Sequence, residues 1–218
     1  MDGLFTIAGH ARATLPLDVL AALTLLSIAP VLLVMSTSFV RIIVVLSLVR
    51  SAIGAQSLPP NAVLTGIALV LTTVIMSPTF SQINDAAVQP YSHGTIGPAQ
   101  FAQRASEPLR SFMLRQTHLQ DLALFERVAH RPAEPAQKAP LVVLVPAFVV
   151  GELRDAFAIG LALYLPFVAI DLAVASILMG LGMFMLSPPV ISLPAKLLLF
   201  VMVDGWALVC GGVVSSFR

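Results

Sequence analysis

A few charged side chains are set into otherwise oily sequence: Arg41, Glu152, Arg154, Asp155, Asp171, Lys196 and Asp204. A charge at membrane depth is expensive, and such groups pair with one another or line a polar cavity. Two kinds of chemistry are open to them. They could carry protons or ions, or they could lock helices or subunits together. Their signs are mixed, so they are able to neutralise one another, which favours the lock; an ion pair between subunits would fix an assembly's geometry at some cost in stability. A second cluster, Met179–Gly180–Leu181–Gly182–Met183–Phe184–Met185, precedes a Pro-rich elbow, Ser187–Pro194. Gly180 and Gly182 allow close backbone approach. Met183, Phe184 and Met185 add soft, adaptable bulk, and a ring of them would make a compressible hydrophobic constriction. No Ser/His/Asp set, phosphate-cradling glycine loop, Cys–His pair or metal motif occurs, so no catalytic or metal role is assigned to any residue and no cofactor is expected.

The elements that must hold these residues are apolar. Of 218 residues, 58% are hydrophobic and 11% charged, with mean hydropathy +0.95. Soluble domains carry roughly 25% charged residues, so the chain reads as a membrane protein. The net charge of +1 gives no reason to expect nucleic acid. Cys210, alone of its kind, excludes an intrachain disulfide. His10, His93, His118 and His130 show no ligand spacing.

Four domains are expected. Residues 1–17 form a short N-terminal segment without the basic, apolar and small-residue pattern of a secretory signal. Residues 18–78 hold N-terminal hydrophobic helices: about Val19–Val40, kinked at Pro30, then the stretch between Arg41 and Arg50, a loop at 51–62, and a short segment, Val63–Met76, stopped by Ser77–Pro78. Residues 79–140 contain six Lys/Arg and five Asp/Glu and read as a water-facing domain. Its best helix, residues 107–129, places Leu109, Phe112, Met113 and Gln116 on one face, with a break after Thr117; residues 131–140 read as a linker. Residues 141–218 carry the last hydrophobic helices, about Ala156–Leu186 and Leu193–Val214, with Lys196 and Asp204 near one face of the second. The result is an all-α membrane protein of about four hydrophobic segments, some kinked or hairpin-like. Arg41, Arg50 and Lys196 put their links on the cytoplasmic side, and hence residues 79–140 and both termini outside.

Three stretches carry a family resemblance: TSFVRIIVVLSLVRSAIGAQSLPPNAVLTGIALVLT (37–72), PLRSFMLRQTHLQDLALF (108–125) and VPAFVVGELRDAFAIGLALYLPFVAIDLAVASILMGLGMFMLSPPVISLPAKLLLFVMVDGW (145–206). On these motifs the chain resembles the FliP/SctR family of type III secretion export-gate proteins, and the resemblance covers nearly the whole chain. The stretch after Asp171 and the 108–125 motif look more like the flagellar branch than the injectisome branch. The resemblance implies several copies of the chain assembling with FliQ-like and FliR-like subunits into a helical export gate. That gate sits in the inner membrane within the flagellar basal body, among other export-apparatus proteins, and passes unfolded flagellar subunits. The family's methionine-rich pore gasket falls on Met183, Phe184 and Met185, with Gly180 and Gly182 packing closely beside it. Arg41, Glu152, Arg154, Asp171, Lys196 and Asp204 become buried or inter-subunit charges. Three departures stand out: Phe184 where methionine is usual, Gly151 where serine precedes Glu-Leu, and Ala195 where phenylalanine precedes the lysine. An injectisome gate, or a proton-coupled transporter or ion channel, are the alternatives.

Overall fold

A computed structural model describes residues 23, 24, 27, 30–55, 58–130, 132 and 135–217. Met1–Met35 and Ser36–Arg218 form separate compact units. Within the first, residues 30–35 are helical. The expected segment 1–17 lies outside the described residues, as does part of the span 19–40, including residues 28 and 29 just before Pro30, where a kink was expected. That span is also not continuous: residues 36–38 leave the helix. They are Ser-Thr-Ser, whose hydroxyls compete for backbone hydrogen bonds.

The second unit is helical throughout its ordered elements, and no strand occurs among the described residues. Helix α1 (Phe39–Ile53) ends at Gly54, whose φ of 85° suits a glycine C-cap. Helix α2 (Asn61–Ile83) continues through a π-turn, Asn84–Val88, into Gln89–Ser92. The expected stop at Ser77–Pro78 is therefore wrong. Pro78 sits inside the helix. An apolar helix of this length survives the loss of one backbone donor, as membrane-type helices commonly do. The expected boundary between residues 78 and 79 falls within this continuous helix.

Helix α3 (Pro98–Gln116) buries Phe112, Met113 and Gln116, and helix α4 (Leu119–Val128) follows after extended backbone at Thr117 and His118. The break after Thr117 is thus where the apolar stripe drifts. Helix α5 (Leu141–Gly180) is one element of 40 residues, about 60 Å at 1.5 Å per residue. It begins well before the expected Ala156, because Pro146 and the charged stretch Glu152–Asp155 are carried inside it. Helix α6 (Pro188–Met202) and helix α7 (Gly205–Ser215) replace the expected single segment 193–214; they meet at 64°. Asp204, at the junction, has φ 50°. Gly205 leaves room for the Phe200 ring, which a Cβ there would overlap. By length and composition, Asn61–Ser92 and α5 could each cross a membrane, and α6 with α7 could do so as a bent pair.

Two cores lie along α5. In the first, Ile42, Val45, Leu46, Val49 and Ile53 of α1 pack against Ala156 and Phe167 of α5, with Phe200, Val209 and Val213 from α6 and α7. Gly160 lets Leu48 close against α5, since a Cβ at residue 160 would overlap that side chain. In the second, Phe148, Leu144 and Val143 of α5 pack with Met76, Phe112, Met113 and Leu122. Phe217 touches both cores.

Candidate functional site

Arg41 enters from the first turn of α1 and is 2% exposed. Its Nε and Nη2 donate to Oε2 and Oε1 of Glu152 at 3.0 and 2.6 Å, a fork on a side chain with no solvent exposure. Nη2 also donates to Asp155 Oδ2 at 2.9 Å. Nη1 donates to the Ser216 carbonyl and hydroxyl at 3.1 and 3.2 Å. All five guanidinium N–H groups are thus satisfied. The Phe217 ring covers the guanidinium carbon at 4.1 Å and stacks on Phe112. Glu152 and Asp155 lie three apart on α5, so they share a face. The far side of Asp155 pairs with His118 Nε2 at 3.1 Å.

Arg154 points another way. Its head forms a fork on Asp121 of α4, with Nη1 2.8 Å from Oδ2. The arginine is 43% exposed while its aspartate is buried. Of the expected buried charges, Arg154 is therefore exposed in this chain, and the buried member of its pair is Asp121. The Glu152–Asp155 turn thus grips α1 on one side, through Arg41, and α4 and the residue before it on the other.

The third cluster joins α1, α5 and α6. Lys196 Nζ donates to Asp171 Oδ2 at 2.6 Å and to the Ala52 carbonyl at 3.4 Å. Ser192 Oγ donates to the other Asp171 oxygen. Lys196 and Ser192 are buried. Ala52 lies in the last turn of α1, where carbonyls lack helical partners and a cation is favoured.

Asp204 does not belong to this cluster. It is exposed, sits in the bend between α6 and α7, and shares no helix face with Lys196. The eight-residue spacing placed them together only if one helix ran through, and the Val203–Asp204 turn interrupts it.

The turn after α5 is bare. Met183, Phe184 and Met185 are 43%, 79% and 101% exposed. Neither glycine beside them is closely packed within the chain; a Cβ at Gly180 or Gly182 would meet nothing. Gly182 answers to backbone geometry instead. Its φ is 73°, its N–H reaches the Met179 carbonyl and the Met183 N–H reaches that of Leu178. This is a Schellman helix stop, which favours glycine at that position.

Several partners escaped the sequence reading: Asp121, His118, Ser192, Ser216 and Phe217. The Asp121 signal was present, since a carboxylate on the buried stripe of an amphipathic helix needs a cation. The rest are set by tertiary packing. Among the described residues no group of His, Cys, Asp or Glu gathers to hold a metal.

These features define a class: an all-helical protein with helices long and apolar enough to cross a membrane, its buried charges tying its own helices together. The chain belongs to the FliP family, whose model matches residues 22–213. It is 50% identical over 205 residues to the flagellar biosynthetic protein FliP of Pectobacterium carotovorum subsp. carotovorum, covering 94% of this chain and 80% of that one. With the flagellar biosynthetic protein FliP of Bacillus subtilis (strain 168) it shares 44% identity over 215 residues, 98% and 97% of the two chains. The Aquifex aeolicus (strain VF5) protein of the same name is 44% identical over 199 residues, 90% and 83% of the two.

Proposed function

We propose that this chain is a pore-forming core subunit of the flagellar type III export gate, without catalysis of its own. Several copies would assemble with FliQ-like and FliR-like subunits in the inner membrane at the basal body, with residues 79–140 on the periplasmic side. Unfolded flagellar subunits would pass through. Family membership supports the flagellar setting. The observation that carries the pore role is the exposed tip at Met183, Phe184 and Met185. Apolar side chains left so bare at a helix hairpin need a cover, and copies arranged around an axis would supply one another with it. Soft methionines would then shut the passage to water and yield to a passing chain. Phe184 adds bulk with less compliance. Within this assembly, Asp204 remains available to a neighbouring subunit. The lock reading is supported over a relay by the ion pair of Asp171 with Lys196 and by the place of Asp204 in the bend between α6 and α7, away from that pair.

Replacing Met183 and Met185 with Ala should leave assembly intact and make the resting gate leak small solutes. Unchanged permeability in an assembled gate would refute the gasket role.

A further inference from the structure

The hairpin that carries the exposed tip leaves the body of the chain at one place. From residue 172 to 191, Leu178 is the one buried residue. Leu172, Ile177, Met179, Leu181, Val190 and Ile191 all face outward. Helix α1, which supports α5 up to this level, ends at Ile53. A Cβ on the following Gly54 would touch Leu193 of α6 at 3.7 Å, so α6 passes directly over the end of α1. At that level sits the Asp171–Ser192–Lys196 cluster. Lys196 holds the returning arm to the outgoing arm and to the last turn of α1. Ser192, one helical turn earlier on the returning arm, holds the other oxygen of the same carboxylate. Asp171 lies nine residues before Gly180, about 14 Å along the helix. Beyond the cluster, no side-chain hydrogen bond or ion pair joins the two arms among the described residues.

We propose that Asp171, Ser192 and Lys196 are positioning residues: a clamp at the base of the hairpin that fixes where Met183, Phe184 and Met185 point. The inference rests on the gasket reading above for its functional meaning, while its structural content stands apart from it. Apolar contact between two helices in a lipid-like setting gives little directional constraint. A carboxylate held at both oxygens, with a lysine bridging to a third helix, sets rotation and register together. Releasing it should free the tip while the apolar contacts of the cores, the Phe167–Phe200 ring contact between α5 and α6 among them, stay in place.

The test uses the full chain in its purified membrane complex. Cys210 is the sole cysteine, so a Cys210→Ala background allows one spin label, at Met185→Cys on the tip or at Leu119→Cys on α4. Lys196→Met should raise the mobile fraction of the tip label roughly tenfold, the change that about 1.4 kcal/mol makes in a two-state population. The label at residue 119 should not change. Ser192→Ala keeps the ion pair and should give a smaller rise; it carries the test if Lys196→Met fails to assemble. The charge swap Asp171→Lys with Lys196→Asp should restore part of the immobility. Unchanged tip mobility in the assembled variants overturns the clamp, as does an equal rise at residue 119. Label mobility is read independently of leak. A tip that loosens without leaking would therefore sink the gasket reading and leave the clamp standing.

Discussion

Removing the Glu152 carboxylate should be among the most damaging single changes in this chain. Glu152 is fully buried, and both its oxygens bind Arg41, itself 2% exposed. Breaking a buried pair by deleting one member costs about 3–5 kcal/mol, because the survivor stays behind as an uncompensated charge. Here the survivor keeps Asp155, Ser216 and the Phe217 ring. The loss for Glu152→Leu therefore belongs near the lower end, about 3 kcal/mol, or roughly a hundredfold in the folded-to-unfolded ratio. Arg41→Met should cost more. It leaves Glu152 and Asp155 together without their cation, one of them with no access to water. The double variant should be no worse than Arg41→Met alone, since two apolar side chains of similar volume replace a buried pair at little net cost. Reversible unfolding of the four proteins in mixed micelles gives the complete cycle. A coupling of about 3 kcal/mol or more is expected, at or above the upper end of what contacting residues show. Additive losses within about 0.5 kcal/mol would refute the view that these two groups are mutually dependent.

Two glycine-centred changes should separate close packing from open helix surface. Gly160→Ala pushes a methyl into Leu48 and should destabilise by about 1–3 kcal/mol. Gly66→Ala, where nothing lies within 4 Å, should stabilise by about 0.5–1 kcal/mol. Equal shifts in melting temperature would contradict the α1–α5 packing described above. At the α6–α7 bend, Asp204→Gly should raise stability by about 1 kcal/mol, since φ 50° is left-handed and disfavoured for a residue with a Cβ; Asp204→Val should lower it, and a gain from valine would mean that the bend is not built this way.

How much of this was legible beforehand depends on the kind of signal. Helical class and membrane character follow from composition, which no packing detail alters. The break at Thr117 was visible because the stripe Leu109, Phe112, Met113 and Gln116 drifts off its face beyond it. Pro78 misled, because proline is a strong stop in a soluble helix and a tolerated residue in a long apolar one. The start of α5 misled for a related reason. A charged run, Glu152–Asp155, reads as the edge of a span, yet three of its members are consumed by partners distant in sequence. Asp204 shows the opposite failure. Its spacing from Lys196 assumed a straight helix, and the turn at Val203 and Asp204 owes as much to the Phe200 ring over Gly205 as to any local stop signal. The mixed signs of the charges point to locks, but not to which charge meets which. The pairs made within this chain, Arg41 with Glu152, Arg154 with Asp121 and Lys196 with Asp171, depended on contacts many residues apart, which spacing along one helix cannot supply.

Both ends of α1 are tied to α5 through a basic side chain, and this explains why an oily pair of helices keeps costly charges. Arg41, in the first turn of α1, grips Glu152 and Asp155. Ala52, in the last turn, receives Lys196, which holds Asp171. Between the two ties α1 spans about 16 Å, and its contacts are apolar side chains plus the Leu48–Gly160 fit. A smooth apolar seam tolerates small slides and rotations at little cost, whereas a two-point fork on a carboxylate does not. Fixing both ends sets the height at which α5 passes the end of α1, and therefore how far its last turns and the Met183–Met185 tip project. If several copies meet at their tips, each tip must project equally. A register error of one residue would shift a tip by about 1.5 Å along the helix and turn it by about 100°. The buried charges are then the means by which every copy presents the same surface to the axis.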